Sequence, residues 1–265
     1  MRKRRAGSEG MIFKWDFMER NVAAWAKEYA NAPAYPHIAL DRLADDNLLS
    51  QALAEFPPPG SPVWHQNTVS TATIYKKQAQ QDIREIPPTL REVLFEMNSG
   101  PFIEFLEKLT GIDHLLPDPH LYGAGIQQTL PGGVLAMHVD HNINPKIQLY
   151  RRLSLAFYLN KDWKHEYGGQ FEVWDKDKKC VDVIQPVFNR MVIFSNSETS
   201  WHGHPRAVTC PPGMTRKSLA TWYFSVTPHP SYGDVPHMGR FLNHPNPWRI
   251  FKSILIDKIA KKAYG

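Results

Sequence analysis

Residues 153–196, LSLAFYLNKDWKHEYGGQFEVWDKDKKCVDVIQPVFNRMVIFSN, decide the fold. Four apolar runs lie in this stretch, and residues that favour turns separate them without an intervening helical pattern. Short runs bounded in this way predict β-strands. Strands that follow one another so closely predict a β-barrel or a β-sandwich.

The strand pattern extends on both sides of this stretch. From about residue 119 onwards we predict seven strands, at 120–129, 134–138, 153–159, 170–174, 180–184, 190–194 and 218–226. The residues before 119 carry apolar side chains at helical intervals instead. They predict helices at 12–31, 45–53, 87–98 and 101–111, with one short strand inside 32–43. The sequence therefore predicts an α+β protein with a mainly β core.

The chain is predicted to form one domain behind a short tail. Residues 1–10 are basic and lack an apolar stretch, which predicts a disordered basic tail rather than a signal peptide. The domain then spans residues 11–265, with a helical support at 11–118, a β core at 119–228, and a loop and helix at 229–265. The last segment, 247–265, is amphipathic, and we favour a helix that closes one end of the barrel over a helix that lies on a membrane.

Composition limits the classes of function. Apolar residues make up 42% of the 265 residues, and no apolar run is long enough for a transmembrane helix. The two cysteines, Cys180 and Cys210, are too few for a disulfide scaffold, so we expect a reducing, cytoplasmic compartment. The net charge of +5 is modest and no basic stripe is interleaved with aromatic residues, so nucleic acid is not an expected partner.

The segment MHVDHN at 137–142 contains a candidate metal-binding pair. His138 and Asp140 are two residues apart, so an extended strand end points both side chains to the same face. Two histidines and one carboxylate commonly hold Fe(II) while leaving coordination positions open. The second histidine must come from a distant strand, and SWHGH at 200–204 offers His202 and His204. We favour His202, because the glycine that follows it allows a close approach to a metal.

A candidate anion site follows further along the chain. Arg216 is the first charged residue before an otherwise apolar run, and a buried guanidinium is costly unless it meets an anion. A guanidinium binds a carboxylate through two parallel hydrogen bonds, which suits a dicarboxylic cosubstrate. Tyr158, at the end of LSLAFYL, offers a phenolic hydrogen bond to the same anion.

The order of these motifs resembles the prolyl-4-hydroxylase-type Fe(II)/2-oxoglutarate-dependent dioxygenases, which include the oxygen-sensing prolyl hydroxylases. The resemblance runs from about residue 130 to residue 226. The segments that carry it are HVD (138–140), YLNKDW (158–163), YGGQFEVWD (167–175), FNRMVIFSN (188–196) and RKSLATWYF (216–224). The resemblance implies a double-stranded β-helix of the jelly-roll or cupin-like type.

The resemblance also implies the cofactors and their ligands. Fe(II) would be bound by His138, Asp140 and His202. The distal carboxylate of 2-oxoglutarate would be held by Arg216 and Tyr158. O2 would be the second cosubstrate, and ascorbate would assist.

Further residues take roles from the same resemblance. Trp222 and Ser154 match residues that line the cosubstrate pocket, and Gly168-Gly169 matches a turn before the next strand. An aspartate at position 140, rather than a small residue, implies hydroxylation of an unactivated C–H bond with release of succinate and CO2, not halogenation. Desaturation and ring closure use the same ligands and stay open.

The chain departs from the family pattern in the region that would face the substrate. Peptidyl-prolyl members carry Tyr-Pro-Gly before the first histidine, whereas this chain has Leu130-Pro131-Gly132. We therefore expect a small-molecule, amino-acid, sugar-derived or carrier-bound substrate. Gln127 and His141 are near enough in sequence to face it. The segment 227–248 is either a lid or substrate wall or a proline-rich surface loop.

Two other classes of function stay open. One is a cupin-like metalloenzyme that uses zinc or manganese without a keto acid, which would have no use for Arg216 and Tyr158 together. The other is a non-enzymatic β-barrel binding protein. The oligomeric state also stays open.

Overall fold

The computed structural model describes residues 11–64, 68–71, 73–232 and 235–242. The tail predicted at 1–10 and the helix predicted at 247–265 lie outside the described residues. The four helices predicted in the first part of the chain are confirmed. They are α1 (Trp15–Ala30), α2 (Asp46–Ala54), α3 (Pro88–Met97) and α4 (Gly100–Thr110).

Twelve strands lie within the described residues. They are β1 (His37–Asp41), β2 (Thr68–Val69), β3 (Ile74–Gln80), β4 (Leu116–Pro117), β5 (Gly125–Val139), β6 (Tyr150–Tyr158), β7 (Phe171–Trp174), β8 (Cys180–Ile184), β9 (Arg190–Ser195), β10 (Trp201–His204), β11 (Arg216–Ser225) and β12 (Arg240–Phe241). They pair in the order β1-β9-β6-β11-β5-β10-β7-β8, with β3 and β12 also on β5 and every pairing antiparallel. This nearly closed antiparallel barrel confirms the predicted double-stranded β-helix.

Strand β5 differs from its prediction. The strands predicted at 120–129 and 134–138 form one continuous strand that begins at Gly125. The chain passes through the Pro-Gly-Gly segment without leaving the sheet because both glycines fit where other residues would not. Gly132 has a φ of +83°, and a Cβ at Gly133 would lie 2.8 Å from the carbonyl oxygen of Tyr75.

The first part of the chain contributes more to the barrel than was predicted. Strand β1, which corresponds to the short strand predicted inside 32–43, pairs with β9. Strand β3 was not predicted, and it pairs with β5 from Ile74 to Gln80. The segment 74–80, IYKKQAQ, has few of the β-branched and aromatic residues that indicate a strand. Its pairing with β5 supplies the stability that its composition does not.

The barrel wall separates two sets of side chains. Alternate residues of a strand face opposite sides. On β6, Leu153, Leu155 and Phe157 belong to the core shared with the four helices, whereas Tyr158 packs with Phe171 in the barrel interior. The helices thus support one face of the sheet, and the other face is left to line a cavity.

Two further observations concern the described residues only. None of their helices is long and apolar enough to cross a membrane. Cys180 is exposed and Cys210 is buried, and both are free thiols.

Candidate active site

Three predicted residues meet at one end of the barrel. His138 lies near the end of β5, Asp140 follows that strand directly, and His202 on β10 pairs with His138 in register. The Nε2 atoms of His138 and His202 lie 3.6 Å and 3.5 Å from the Asp140 carboxylate oxygens. One donor atom from each residue lies within 4.8 Å of the others. Two imidazole nitrogens and one carboxylate at this spacing fit a first-row divalent metal ion such as Fe(II).

The two imidazole rings are held with Nε2 towards this cluster. The Nδ1–H of His138 donates to the carbonyl oxygen of Ala136, and that of His202 donates to the carbonyl oxygen of Ser200, each at 2.9 Å. These bonds fix the tautomer and leave an Nε2 lone pair for a metal. Burial, with a contribution from His138, lowers the pKa of His202 to about 3, so its ring is neutral as a ligand must be.

Arg151 holds the Asp140 carboxylate, and this contact was not predicted. Its Nη2 lies 2.7 Å from Oδ2 of Asp140, and its guanidinium is buried. Ser154 accepts hydrogen bonds from Arg151 and donates one of 3.1 Å to the same Oδ2. Burial alone would raise the pKa of Asp140, but Arg151 and His202 outweigh it and hold that pKa well below its usual range.

Arg216 and Tyr158 also meet inside the barrel, as predicted from the anion argument. The Nη2 of Arg216 donates to the Tyr158 hydroxyl at 3.1 Å, and its Nε donates to the carbonyl oxygen of Gly169 at 2.6 Å. Gly169 has a φ of +65°, and a Cβ there would lie 2.9 Å from the Arg216 side chain. The glycine pair predicted as a turn therefore also lets the backbone approach the guanidinium.

One cavity of about 260 Å³ contains both groups. His138, Asp140, His202, Arg216 and Tyr158 all line it, and so do three other residues singled out from the sequence: Trp222, Gln127 and His141. The Trp222 ring packs 3.7 Å from the Arg151 guanidinium. Ser154 does not lie beside Arg216, where the cosubstrate role would place it. It lies behind Asp140, as part of the support of that carboxylate.

His204, the alternative second histidine, points to a different part of the cavity. Its Cα pairs with Leu135, whereas that of His202 pairs with His138. Its Nε2 lies 3.4 Å from the Thr129 hydroxyl, and its Nδ1 is buried without a hydrogen-bond partner among the described residues. The preference for His202 agrees with the cluster that the structure brings together.

Sequence reasoning missed three residues that line the cavity: Arg151, Lys77 and Phe241. The two adjacent arginines before LSLAFYL were the available signal for the first. Lys77 lies on the strand that was not predicted. Phe241 belongs to the segment predicted as a lid, substrate wall or surface loop, and its ring stacks on His138 with centroids 5.0 Å apart.

Comparison with known families gives one match within the barrel. Residues 124–224 match the family model of the 2OG-Fe(II) oxygenase superfamily. Prolyl hydroxylase EGLN3 of Mus musculus is 28% identical over 90 residues, and that of Homo sapiens is 27% identical over the same length. Each alignment covers 34% of this chain and 35% of the relative, so the chain matches only about a third of the length of these relatives.

Solved structures share the fold over most of the chain. A prolyl hydroxylase from Trichoplax adhaerens, in complex with a hypoxia inducible factor oxygen degradation domain peptide fragment, superposes with a TM-score of 0.55 at 18% identity, covering 80% of this chain and 93% of that one. A prolyl-4-hydroxylase from Pseudomonas putida superposes with a TM-score of 0.53 at 17% identity, covering 77% and 98%. At these identities the likeness establishes the fold.

Proposed function

We propose that the protein, whose residues 124–224 match the model of the 2OG-Fe(II) oxygenase superfamily, is an oxygenase of the prolyl-hydroxylase-like type that hydroxylates an unactivated C–H bond with Fe(II), 2-oxoglutarate and O2. Succinate and CO2 are the products of the cosubstrate. One observation carries the proposal: His138, Asp140 and His202 converge in the same cavity as the buried Arg216–Tyr158 pair. A metal-binding cluster alone would suit many reactions, but the anion site beside it suits a keto acid with a second carboxylate.

His138, Asp140 and His202 would hold the iron. Bound Fe(II) supplies the activation of O2 on which both the decarboxylation of 2-oxoglutarate and the oxidation of the substrate depend. The chain contributes the orientation of the ligands. The backbone carbonyls behind the two histidines and the Arg151–Ser154 pair behind Asp140 hold the three side chains in this orientation.

Arg216 would bind the distal carboxylate of 2-oxoglutarate, with the Tyr158 hydroxyl beside it. Among the described residues, no carboxylate pairs with this guanidinium, which is 7% exposed. Its partners are the neutral Tyr158 hydroxyl and the Gly169 carbonyl oxygen. A buried cation with neutral partners favours an anionic ligand, since the ligand's charge repays the cost of burial.

The chain also supplies a wall around the reacting groups. Strand β12 pairs with the end of β5 and brings Phe241 against His138. Two hydrogen bonds hold the residues that precede β12 in the sequence. The Tyr232 hydroxyl donates to the carbonyl oxygen of Arg151, and the Asn142 side-chain amide donates to the carbonyl oxygen of Val235. Residues 227–232 and 235–242 would therefore form a wall of the substrate site and limit the access of water to it.

The absence of a tyrosine at Leu130 and the small cavity favour a small-molecule, amino-acid, sugar-derived or carrier-bound substrate. A cytoplasmic location stays a prediction from the low number of cysteines.

Release of succinate tests the proposal. Purified protein with Fe(II), ascorbate and 2-oxoglutarate should release succinate, and a metabolite extract should raise the rate and yield a product heavier by one oxygen atom. Arg216→Ala should need far more 2-oxoglutarate, because a charge-assisted pair is lost. Lack of succinate release with and without extract, from folded and Fe(II)-loaded protein, would contradict the proposed function.

A further inference from the structure

A second cation lies beside Arg216 in the cavity. Strand β5 lies between β3 and β11 at this level, and its Thr129 pairs with Lys77 on one side and with Arg216 on the other. Residues in register on adjacent strands place their side chains on the same face of the sheet. All three line the cavity, so the ammonium and the guanidinium enter it on either side of the Thr129 hydroxyl.

The Lys77 ammonium has no hydrogen bond or ion pair among the described residues. Burial and the nearby Arg216 lower its pKa to about 8, which agrees with a partly buried cation that has no counter-ion beside it. His204 lies beside the Thr129 hydroxyl in the same part of the cavity, and its buried Nδ1 has no hydrogen-bond partner among the described residues. These polar groups therefore lack the ligand that would satisfy them.

The charges in the cavity point to the kind of ligand. Arg151, Arg216 and Lys77 are its cations, and Asp140 is its one carboxylate among the described residues. Arg151 is paired with Asp140 at 2.7 Å. Arg216 and Lys77 then remain, and an anion would satisfy both.

We propose that Lys77 and Arg216 together hold the distal carboxylate of 2-oxoglutarate, so that Lys77 makes the site selective for dicarboxylic keto acids. The inference rests on the proposed function. Neighbouring strands are about 4.8 Å apart, so the Cα atoms of the two residues are separated by roughly 10 Å, which two long side chains span. A carboxylate offers about four acceptor positions, enough for both cations and a hydroxyl.

The selectivity for dicarboxylic keto acids arises because a monocarboxylic keto acid lacks the distal carboxylate that would pair with Lys77 and Arg216. Such a ligand would enter the cavity without supplying an anion for either cation, so it would gain none of the free energy of charge-assisted hydrogen bonds. Lys77 thus strengthens the binding of the dicarboxylic keto acid and leaves that of the monocarboxylic one nearly unchanged.

Binding to Mn(II)-loaded protein, measured by calorimetry without turnover, tests the inference. The ligands are 2-oxoglutarate and 2-oxopentanoate, which has the same carbon chain without the distal carboxylate. The variants are Lys77→Met, Lys77→Gln, Lys77→Arg and Arg216→Met. Lys217→Met is the matched control, because Lys217 also lies on the barrel but contacts the Phe56 ring and does not line the cavity. Thermal unfolding checks that each variant is folded.

We expect Lys77→Met to weaken 2-oxoglutarate binding by about 10- to 100-fold, as for the loss of a charge-assisted hydrogen bond, and to change 2-oxopentanoate binding by less than about twofold. Lys77→Gln should resemble it, whereas Lys77→Arg and Lys217→Met should stay near the wild type. Unchanged 2-oxoglutarate binding by Lys77→Met, with a large loss for Arg216→Met, would overturn this inference and leave the proposed function standing. Equal losses for both ligands would also overturn it. Wild-type protein that binds no 2-oxoglutarate would overturn both.

Discussion

Arg151→Met is the substitution whose effect follows most directly from the structure. The Arg151 guanidinium is 1% exposed and the Asp140 side chain 13% exposed, and their closest atoms are 2.7 Å apart. At an effective dielectric constant of about 20, two unit charges at that distance attract by roughly 6 kcal/mol. Methionine fills much of the arginine's volume, so the main consequence is a buried Asp140 without its cation.

We expect the free energy of unfolding of the metal-free protein to fall by about 3–5 kcal/mol, the usual cost of breaking a buried ion pair. For a domain of this size that is a drop in Tm of roughly 6–20 °C. The assay is thermal and urea unfolding in the presence of a chelator. Mn(II) should reduce the loss, because a bound divalent ion supplies positive charge to the same carboxylate.

The control is the double variant Asp140→Asn/Arg151→Met, which removes both charges. It should recover about 2 kcal/mol relative to Arg151→Met alone, since coupled residues give non-additive effects. A loss below about 1 kcal/mol for Arg151→Met, or a double variant no more stable than the single one, would show that the ion pair does not carry the stability assigned to it.

Three further predictions test the site. Asp140→Gly should abolish substrate oxidation, because the carboxylate is lost, and Asp140→Glu should retain little of this activity, because the carboxylate is displaced. Normal succinate release and normal substrate oxidation by Asp140→Gly would refute the assignment of Asp140 as a metal ligand. Gly169→Ala should weaken 2-oxoglutarate binding about tenfold, since the strained φ of +65° and the 2.9 Å approach to Arg216 displace the guanidinium, and calorimetry giving wild-type affinity would contradict this. Because the pKa of Lys77 is lowered to about 8, its ammonium is charged below that pH and neutral above it, so 2-oxoglutarate affinity should fall as pH rises through about 8 in the wild type but not in Lys77→Met. The other charged groups that act on the pKa of Lys77 are Arg216, Asp140 and Arg151, and a pH dependence retained by Lys77→Met would exclude the lysine as its source.

The sequence predicted the residues that carry strong chemical patterns. His138 and Asp140 were identified because their spacing puts both on one face of a strand end, and His202 because a histidine follows an apolar strand. Arg216 was identified because a charge at the start of an apolar run needs a partner. In each case the pattern is local, and local patterns survive folding.

The residues that were missed depend on pairing between distant strands. On β6 the pairing with β11 shifts register between Tyr223 and Phe224, where Leu153 and Arg151 are the successive partners. Without the bulge, Arg151 and Leu153 would face the same side of the sheet, because they are two residues apart. The bulge reverses the alternation of side chains between the two faces, so Arg151 contacts Ser154 and lines the cavity. Lys77 depends in the same way on β3, whose composition gave no strand signal.

Strand β5 carries His138 and is joined by β3, β10, β11 and β12, whose sequence positions span most of the described chain. Contacts of such long sequence separation form late in folding, because closing a long loop is costly. A nascent polypeptide that has not yet delivered β10 to β5 has only half of its metal-binding nitrogens in place. We therefore expect the three-residue cluster of His138, Asp140 and His202 to be complete only once β10 has paired with β5.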